Sequence, residues 1–308
     1  MSPQIVVIGS SNTDMVVLAP RLPRPGEAVG GGLYFQSHGG RGANQAVAAA
    51  RAGGRVGLVA AFGQDAFGES AIRSLLSEGV DISCTVRERG ASGIALVMVD
   101  GNGQNCMSIA PGANELLAPA HIDQALSMIR AASIILIQLE IPYETAAYAA
   151  RLAAENGKKV LLNPAPAHPL DAALAGCLHM LILNESEAET LSGIPVKNVE
   201  DAAFAAQRLR HGGPSNVIIT LGPLGAWVCS EDWEGHMPAW PAHPMDTTAA
   251  GDVFCGALAV ALAEKEPLQE AVRFASAAAA ISITRPGSQP SVPRREEIEA
   301  LMEGALVL

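Results

Sequence analysis

An alternation through the middle of the chain constrains its fold more than any other feature. Short apolar segments at 134–139, 160–162, 180–183 and 217–220 are separated by longer, helically patterned segments at 144–156, 185–192 and 199–211. The apolar segments carry no in–out alternation, so each predicts a strand buried on both faces. Strand–helix–strand order with such strands predicts an α/β fold: a mainly parallel central sheet with helices on both faces. The run Ile5-Val6-Val7-Ile8, ending at Gly9, supplies a first buried strand; 119–130 reads as a helix and 226–229 as a further strand.

The rest of the chain either extends this rhythm or departs from it. Segment 44–52 is an Ala-rich helix, 56–61 a strand and 67–78 a helix, and the last third is helical at 250–264, 268–284 and 295–302. Segments 15–19 and 34–37 read as extended. The stretch 94–109 reads as a hairpin folded at Asp100-Gly101-Asn102-Gly103, since Asp-Gly and Asn-Gly suit tight turns. These pieces, about 15–37 and 94–109, do not fit the βαβ rhythm and predict a small β-sheet standing off a single domain, 1–308. The chain is 49% hydrophobic but 4% aromatic, which predicts Ala-rich helices lying close on Val/Ile-rich strands.

Several function classes are excluded. A formal net charge of −11 without a basic stripe argues against a nucleic-acid partner. The five cysteines form no C-x-x-C pair, and the seven histidines form no H-E-x-x-H, so neither a disulfide framework nor a zinc site is expected. No stretch reads as a signal peptide or as a membrane span, which makes a soluble, cytoplasmic protein the expectation. There is no G-x-x-x-x-G-K-[ST], and the first strand is followed by Gly9-Ser10-Ser11-Asn12-Thr13-Asp14, not G-x-G-x-x-G, which argues against a dinucleotide dehydrogenase.

In open α/β sheets ligands bind beyond the carboxyl ends of the strands, so chemistry is sought there. Asp246-Thr247-Thr248-Ala249-Ala250-Gly251-Asp252 immediately precedes a long helix. The free N–H groups of Ala249, Ala250 and Gly251 would favour developing negative charge, and Asp252 in the first turn could take a proton from an attacking hydroxyl. The same residues fit an ordinary N-cap with a dipole-matching acid. Gly39-Gly40-Arg41-Gly42-Ala43-Asn44 puts glycines around one cation ahead of a helix; a polar ligand or a plain turn would explain it. Asn12 and Asp14, two apart, could grip vicinal hydroxyls together or form an Asx turn. Glu140 ends a strand and could face the same cleft. Asn184 and Glu187 could hold hydrated Mg²⁺ with its phosphates, although their spacing is also that of a capping box. Thr220, Gly222 and Gly225 could make a turn under a nucleotide. The Arg285–Ser291 segment could ligate a monovalent cation or simply stop a helix at Pro286-Gly287.

In their order along the chain these segments resemble the ribokinase family of carbohydrate kinases. The resemblance rests on Gly-Gly-x-Gly-Ala-Asn at 39–44 and Asp-Thr-x-Ala-Ala-Gly-Asp at 246–252, and covers nearly the whole length. It implies ATP-dependent phosphorylation of a primary sugar hydroxyl, with the 5-hydroxyl of D-ribose expected. Another small sugar or a nucleoside is the alternative, and a silent sugar-binding protein on the same fold a further one. The resemblance assigns Asn12, Asp14, Gly40, Arg41, Gly42, Asn44 and Glu140 to the sugar, with Asp252 as base beside the amides at Ala249, Ala250 and Gly251. It assigns Asn184, Glu187, Thr220, Gly222, Gly225, Gly251 and Ser276 to ATP, Glu187 reaching Mg²⁺ through water. It assigns Asp246, Thr248, Ser282, Arg285, Gly287 and Ser291 to K⁺ or a similar ion, some through main-chain carbonyls. It further implies that the small sheet is a lid pairing two subunits as a homodimer. The sequence departs from the family at Arg41, usually lysine, and at Ser276, often histidine.

Overall fold

The computed structural model describes residues 4–101 and 104–308. Eight strands form the main sheet in the spatial order Glu234–Met237, Ala226–Cys229, Asn216–Thr220, Met180–Asn184, Lys159–Asn163, Ile134–Gln138, Ile5–Ile8 and Val56–Val59. The last six in this order run parallel; the first two are antiparallel additions at one edge. Ile5–Ile8 pairs with Val56–Val59 on one side and with Ile134–Gln138 on the other. The chain therefore builds outward from Ile5–Ile8 in one direction, returns, and builds outward in the other. That reversal opens a crevice beyond the carboxyl ends of Ile5–Ile8 and Ile134–Gln138, where the sheet no longer supports a continuous helical layer.

The side chains divide between the sheet faces with period two. Ile5, Val7, Leu58, Leu136, Leu161, Ile182 and Ile218 meet the helices Arg41–Arg51, Ala250–Ala263, Leu268–Ser282 and Arg295–Met302. Val6, Ile8, Val59, Ile135, Ile137, Leu162, Leu183 and Ile219 meet Tyr143–Glu155, Glu185–Ser192 and Val199–His211. Contact is as close as the low aromatic content predicts. On Gly256 a Cβ would lie 2.6 Å from the Gln45 carbonyl and 2.8 Å from the Ala49 nitrogen, so glycine is what lets Ala250–Ala263 touch the backbone of Arg41–Arg51.

A second sheet, in the order Leu33–Gly39, Asn12–Leu18, Gly93–Val99 and Asn105–Ala110, stands off the first. It is the expected small sheet, with Asn12–Leu18 starting earlier than its apolar stretch suggests. The Asn102-Gly103 part of the expected turn lies outside the described residues. Two expectations are corrected. Segment 119–130 is broken at Ala125, whose N–H donates to the carbonyls of both His121 and Ile122, tightening the turn between Pro119–Gln124 and Leu126–Ala131. Segment 56–61 also breaks, at Ala60; Ala61–Gly63 leaves the main sheet to pair with Val86–Glu88. Among the described residues no helix is long and apolar enough to cross a membrane.

Candidate active site

The crevice at the strand reversal holds a cavity of about 600 Å³, with Asn12, Arg41, Asn114, Glu115 and Glu140 as polar lining and Ile109, Leu139 and Ile141 among the apolar. Glu140 follows the strand Ile134–Gln138. Its carboxylate accepts hydrogen bonds from the Ser10 hydroxyl and from the Arg41 backbone N–H, the latter at 3.0 Å. The Arg41 guanidinium lies 3.5 Å from Glu140 and 4.0 Å from Asp252. It spans the two carboxylates across the cavity floor. Burial works against its charge, but Asp252, Glu140 and Glu187 outweigh that and hold it above the usual arginine range.

Asp252 is 4% exposed, in the first turn of Ala250–Ala263. Its oxygens accept hydrogen bonds from Asn44 Nδ2 at 3.0 Å and Gln45 Nε2 at 2.9 Å. Burial pushes its carboxyl up; Arg41, Gln45 and Asn44 favour the ionised form, and Glu140 adds to the rise. The preceding residue but two, Ala249, sits at φ 59°, in a left-handed conformation that costs an alanine about 1 kcal/mol. Gly251 is different. A Cβ there would meet nothing within 4 Å, and its φ is not positive, so the fold itself does not require glycine. Open space above a helix N-terminus suits close approach of an anion, although the Ala250 N–H already donates to the Thr247 carbonyl at 3.3 Å.

Asn12 and Asp14 both lie on the strand Asn12–Leu18, and spacing two puts them on one face, as expected. Asn12 is nearly buried, and its Oδ1 accepts from Asn114 Nδ2 at 2.8 Å, leaving its amide donors for the cavity. Asn114, held in turn by the backbone of Ser11, was not legible as a site residue: it belongs to no motif and reaches the cavity only through the return of the hairpin of the small sheet. Asp14 accepts from the Ser288 hydroxyl at 3.2 Å. Burial raises its pKa to about 6, against Ser288 and with help from Glu140 and Asp252.

The glycines around Arg41 serve the scaffold. Gly40 has φ 87°, and a Cβ on Gly42 would fall 2.6 Å from the Ser10 nitrogen, so they let helix Arg41–Arg51 begin directly on the end of Ile5–Ile8. For Gly42 this packing accounts for the glycine without a ligand. Asn44, two residues on, reaches Asp252 and accepts from Gln289 Nε2 at 3.3 Å.

Asn184 and Glu187 form the capping box: Glu187 N–H donates to Asn184 Oδ1 at 2.8 Å and Asn184 N–H to Glu187 Oε2 at 3.0 Å. Glu187 is also within the electrostatic reach of Arg41 and Asp252, and burial raises its carboxyl, so capping leaves it part of the same charged cluster. Thr220 donates its hydroxyl to the Leu183 carbonyl at 3.2 Å. Gly222 and Gly225 close the following turn, where a Cβ on Gly225 would strike the Met237 carbonyl at 2.1 Å. Ser276 is half-buried on Leu268–Ser282, which packs beside Ala250–Ala263.

Asp246 ties two loops together. It accepts from Thr248 N–H at 2.9 Å and from Gly287 N–H at 2.8 Å. Although burial opposes ionisation, the hydrogen bonds from Thr248 and Gly287 hold its carboxyl below the usual range. The Ser282 and Ser291 hydroxyls donate to Ala279 and Ser288 carbonyls, and the Arg285 side chain pairs with Glu297. Any cation here would therefore draw on Asp246 and main-chain carbonyls, a hard oxygen set that suits an alkali ion, and not on the Arg285 side chain.

A buried carboxylate at a helix N-terminus, bridged by Arg41 to the Glu140 that lines a cavity at a strand reversal, suits an enzyme acting on a hydroxylated small molecule. The model of the pfkB family carbohydrate kinases matches residues 2–295. Over 306 residues the chain is 37% identical to a ribokinase of Haemophilus influenzae, covering 99% of this chain and 100% of that one. It is 36% identical over 300 residues to a deoxyribokinase of Salmonella typhi, covering 95% and 96%. The structure of Arabidopsis thaliana ribokinase complexed with ribose and ATP superposes with a TM-score of 0.90 at 31% identity, covering 98% and 99%. The chain belongs to the pfkB family of carbohydrate kinases. Within that class it is a sugar kinase of the ribokinase family, with the family's α/β fold.

Proposed function

We propose that the protein transfers the γ-phosphoryl group of ATP to the 5-hydroxyl of D-ribose, with Asp252 as general base. The observation that carries this reading is the position of Asp252: nearly buried, gripped by two amides, and one residue after the open amide approach at Gly251. A sugar hydroxyl is a poor nucleophile at neutral pH, so in-line attack needs a positioned proton acceptor. Asn12 donates to sugar hydroxyls, Asp14 and Glu140 accept from them, and Arg41 balances the carboxylates as phosphate arrives. The amides at Ala249, Ala250 and Gly251 stabilise charge on the transferring group. ATP would lie along Asn184, Thr220, Gly222 and Gly225, near Ser276, and Glu187 would help hold its Mg²⁺. Bound Mg²⁺ would neutralise phosphate charge. Asp246, with main-chain carbonyls of the loops around Thr248 and Ser291, would hold K⁺, which would help fix the loop before the anion hole. Five unpaired cysteines fit a cytoplasmic setting.

Deoxyribose is the second reading, favoured by the similarity to a deoxyribokinase at nearly the same identity as to a ribokinase. ADP release measured across pentoses, deoxypentoses, hexoses and nucleosides separates the two. Ribose should give the highest kcat/KM, and deoxyribose ranking above it would overturn the choice of substrate. Asp252→Asn should lower kcat by roughly two orders of magnitude with sugar affinity little changed. Near-normal turnover would remove Asp252 from the mechanism.

A further inference from the structure

Behind Asp252 lies a chain of buried amides that the reaction scheme does not use. Gln45 is fully buried, next to Asn44 on Arg41–Arg51. Its Nε2 donates to Asp252 Oδ1 at 2.9 Å and to Asn163 Oδ1 at 3.2 Å, while its Oε1 accepts from Gln138 Nε2 at 2.5 Å. Asn163 is anchored in turn, because its Nδ2 donates to the Ile182 carbonyl at 3.0 Å. The backbone carbonyl fixes the direction of the whole chain. It obliges Asn163 to show its oxygen to Gln45, so Gln45 must show its NH₂ to both Asn163 and Asp252. Gln138, also fully buried, then has only its NH₂ to offer Gln45, and its own Oε1 is without a partner, 2.0 Å from where a Cβ on Gly9 would stand. A buried, unpaired amide oxygen costs about 1–3 kcal/mol. The core tolerates it at the ends of three central strands, directly beneath the base.

We infer that Gln45, oriented by Asn163 and Gln138, is a positioning residue that keeps the Asp252 carboxylate ionised and fixes its plane, so that one lone pair stays directed at the substrate hydroxyl. The argument rests on the assignment of Asp252 as base. Asn44 alone would hold one oxygen and leave the carboxylate free to turn about that bond; the second donor, from the neighbouring residue of the same helix, removes that freedom. A neutral donor also does what a second cation would do at greater cost, since it favours the charged form without adding a group that competes for phosphate. The other groups that act on Asp252 are Arg41, which favours its charge, and Glu140, Asp14, Glu187 and Cys255, which as anions would oppose it. Gln45 offsets part of that opposition from inside the core, beyond the reach of solvent.

The test is the pH profile of kcat/KM and the separate values of kcat and sugar KM for Gln45→Met, Gln138→Met and Asp252→Asn. Gln45→Met keeps the volume and removes the donor. It should lower kcat about tenfold and move the acid limb up by about one pH unit, the scale of one hydrogen bond to a charged group, with sugar KM within about twofold. Gln138→Met removes only the orienting contact and should move the limb the same way by less. A merely structural Gln45 would lower the melting temperature and leave the limb and kcat in place, which overturns the inference. So would a Gln138→Met limb moving the opposite way, a reading available even if Gln45→Met does not fold. If Asp252→Asn keeps its turnover, the base assignment itself fails, and that outcome is distinct from an inactive Asp252→Asn beside an unaltered Gln45→Met.

Discussion

Asp14 shows how a single carboxylate links the sugar pocket to stability. Its folded pKa, about 6, lies above the ordinary aspartate value of 3.8, so between those values the folded state holds more protons than the unfolded one. Stability contributed by this group therefore falls as pH rises from about 4 to 6, and stays lowered above that. Asp14→Asn should melt roughly 2 °C or more above the parent protein at pH 7.5 and lose that advantage at pH 4, as read by thermal denaturation without sugar. The same substitution should raise the sugar KM and reduce discrimination between ribose and deoxyribose, because a site built to pair a hydroxyl penalises a ligand lacking it. Equal melting temperatures at both pH values would mean that Asp14 is not desolvated in the free protein. The motif residues of the site were legible one by one; the partners that hold them in place, Asn114, Gln45 and Ser288, were not. Those partners are separated from the groups they serve by about a hundred residues or more, and no local pattern marks such a contact.

At the scale of elements, the helix Ala250–Ala263 carries two glycines with opposite meanings. Gly256 lies against the backbone of Arg41–Arg51, whereas Gly251 faces open space. Gly256→Ala should destabilise the fold by roughly 1–3 kcal/mol in urea denaturation, since the contacting atoms are backbone and move only with the helix. Gly251→Ala should leave stability unchanged or slightly raised, alanine being the better helix former, yet lower turnover by obstructing the approach to the amides. Wild-type turnover in Gly251→Ala would indicate that no ligand comes that close. The loops around Asp246 make a second test. With Asp246 bridging Thr248 and Gly287, Asp246→Ala should lower activity severalfold and flatten the response to K⁺ while Mg²⁺ dependence persists. The measurement is rate against KCl at constant ionic strength. A flat wild-type curve would remove the monovalent ion from control of catalysis.

At the scale of the whole molecule, the small sheet leaves apolar surface uncovered: on the face that also carries Asn12 and Asp14, Leu33 is 70% exposed, with Leu18, Phe35, Met107 and Ile109 exposed on the same face across the sheet. A contiguous apolar face of this kind marks an interaction surface. The expectation of a homodimer through the lid gives it an occupant. Light scattering on the purified protein should return twice the chain mass, and Leu33→Glu with Met107→Glu should return a monomer with a raised sugar KM, because the strand Asn12–Leu18 of the same sheet carries Asn12 to the cavity. A monomeric wild type would leave that face to another partner.

The sequence by itself determined the layered α/β fold, because buried parallel strands and their covering helices write a local, repeating pattern of apolar residues. It also placed the helix Ala250–Ala263 and the motifs at its start, since glycines and caps act over a few positions. What it left open was which reading of each motif applied. Asn184 with Glu187 proved to be a capping box that still belongs to the charged cluster, and Gly42 a packing glycine. Only the tertiary structure decided these points, and it alone joined Gln138, Gln45 and Asp252. Contacts of this kind depend on how two helices and three strand ends converge at the reversal of the sheet, and that convergence is a property of the folded chain as a whole.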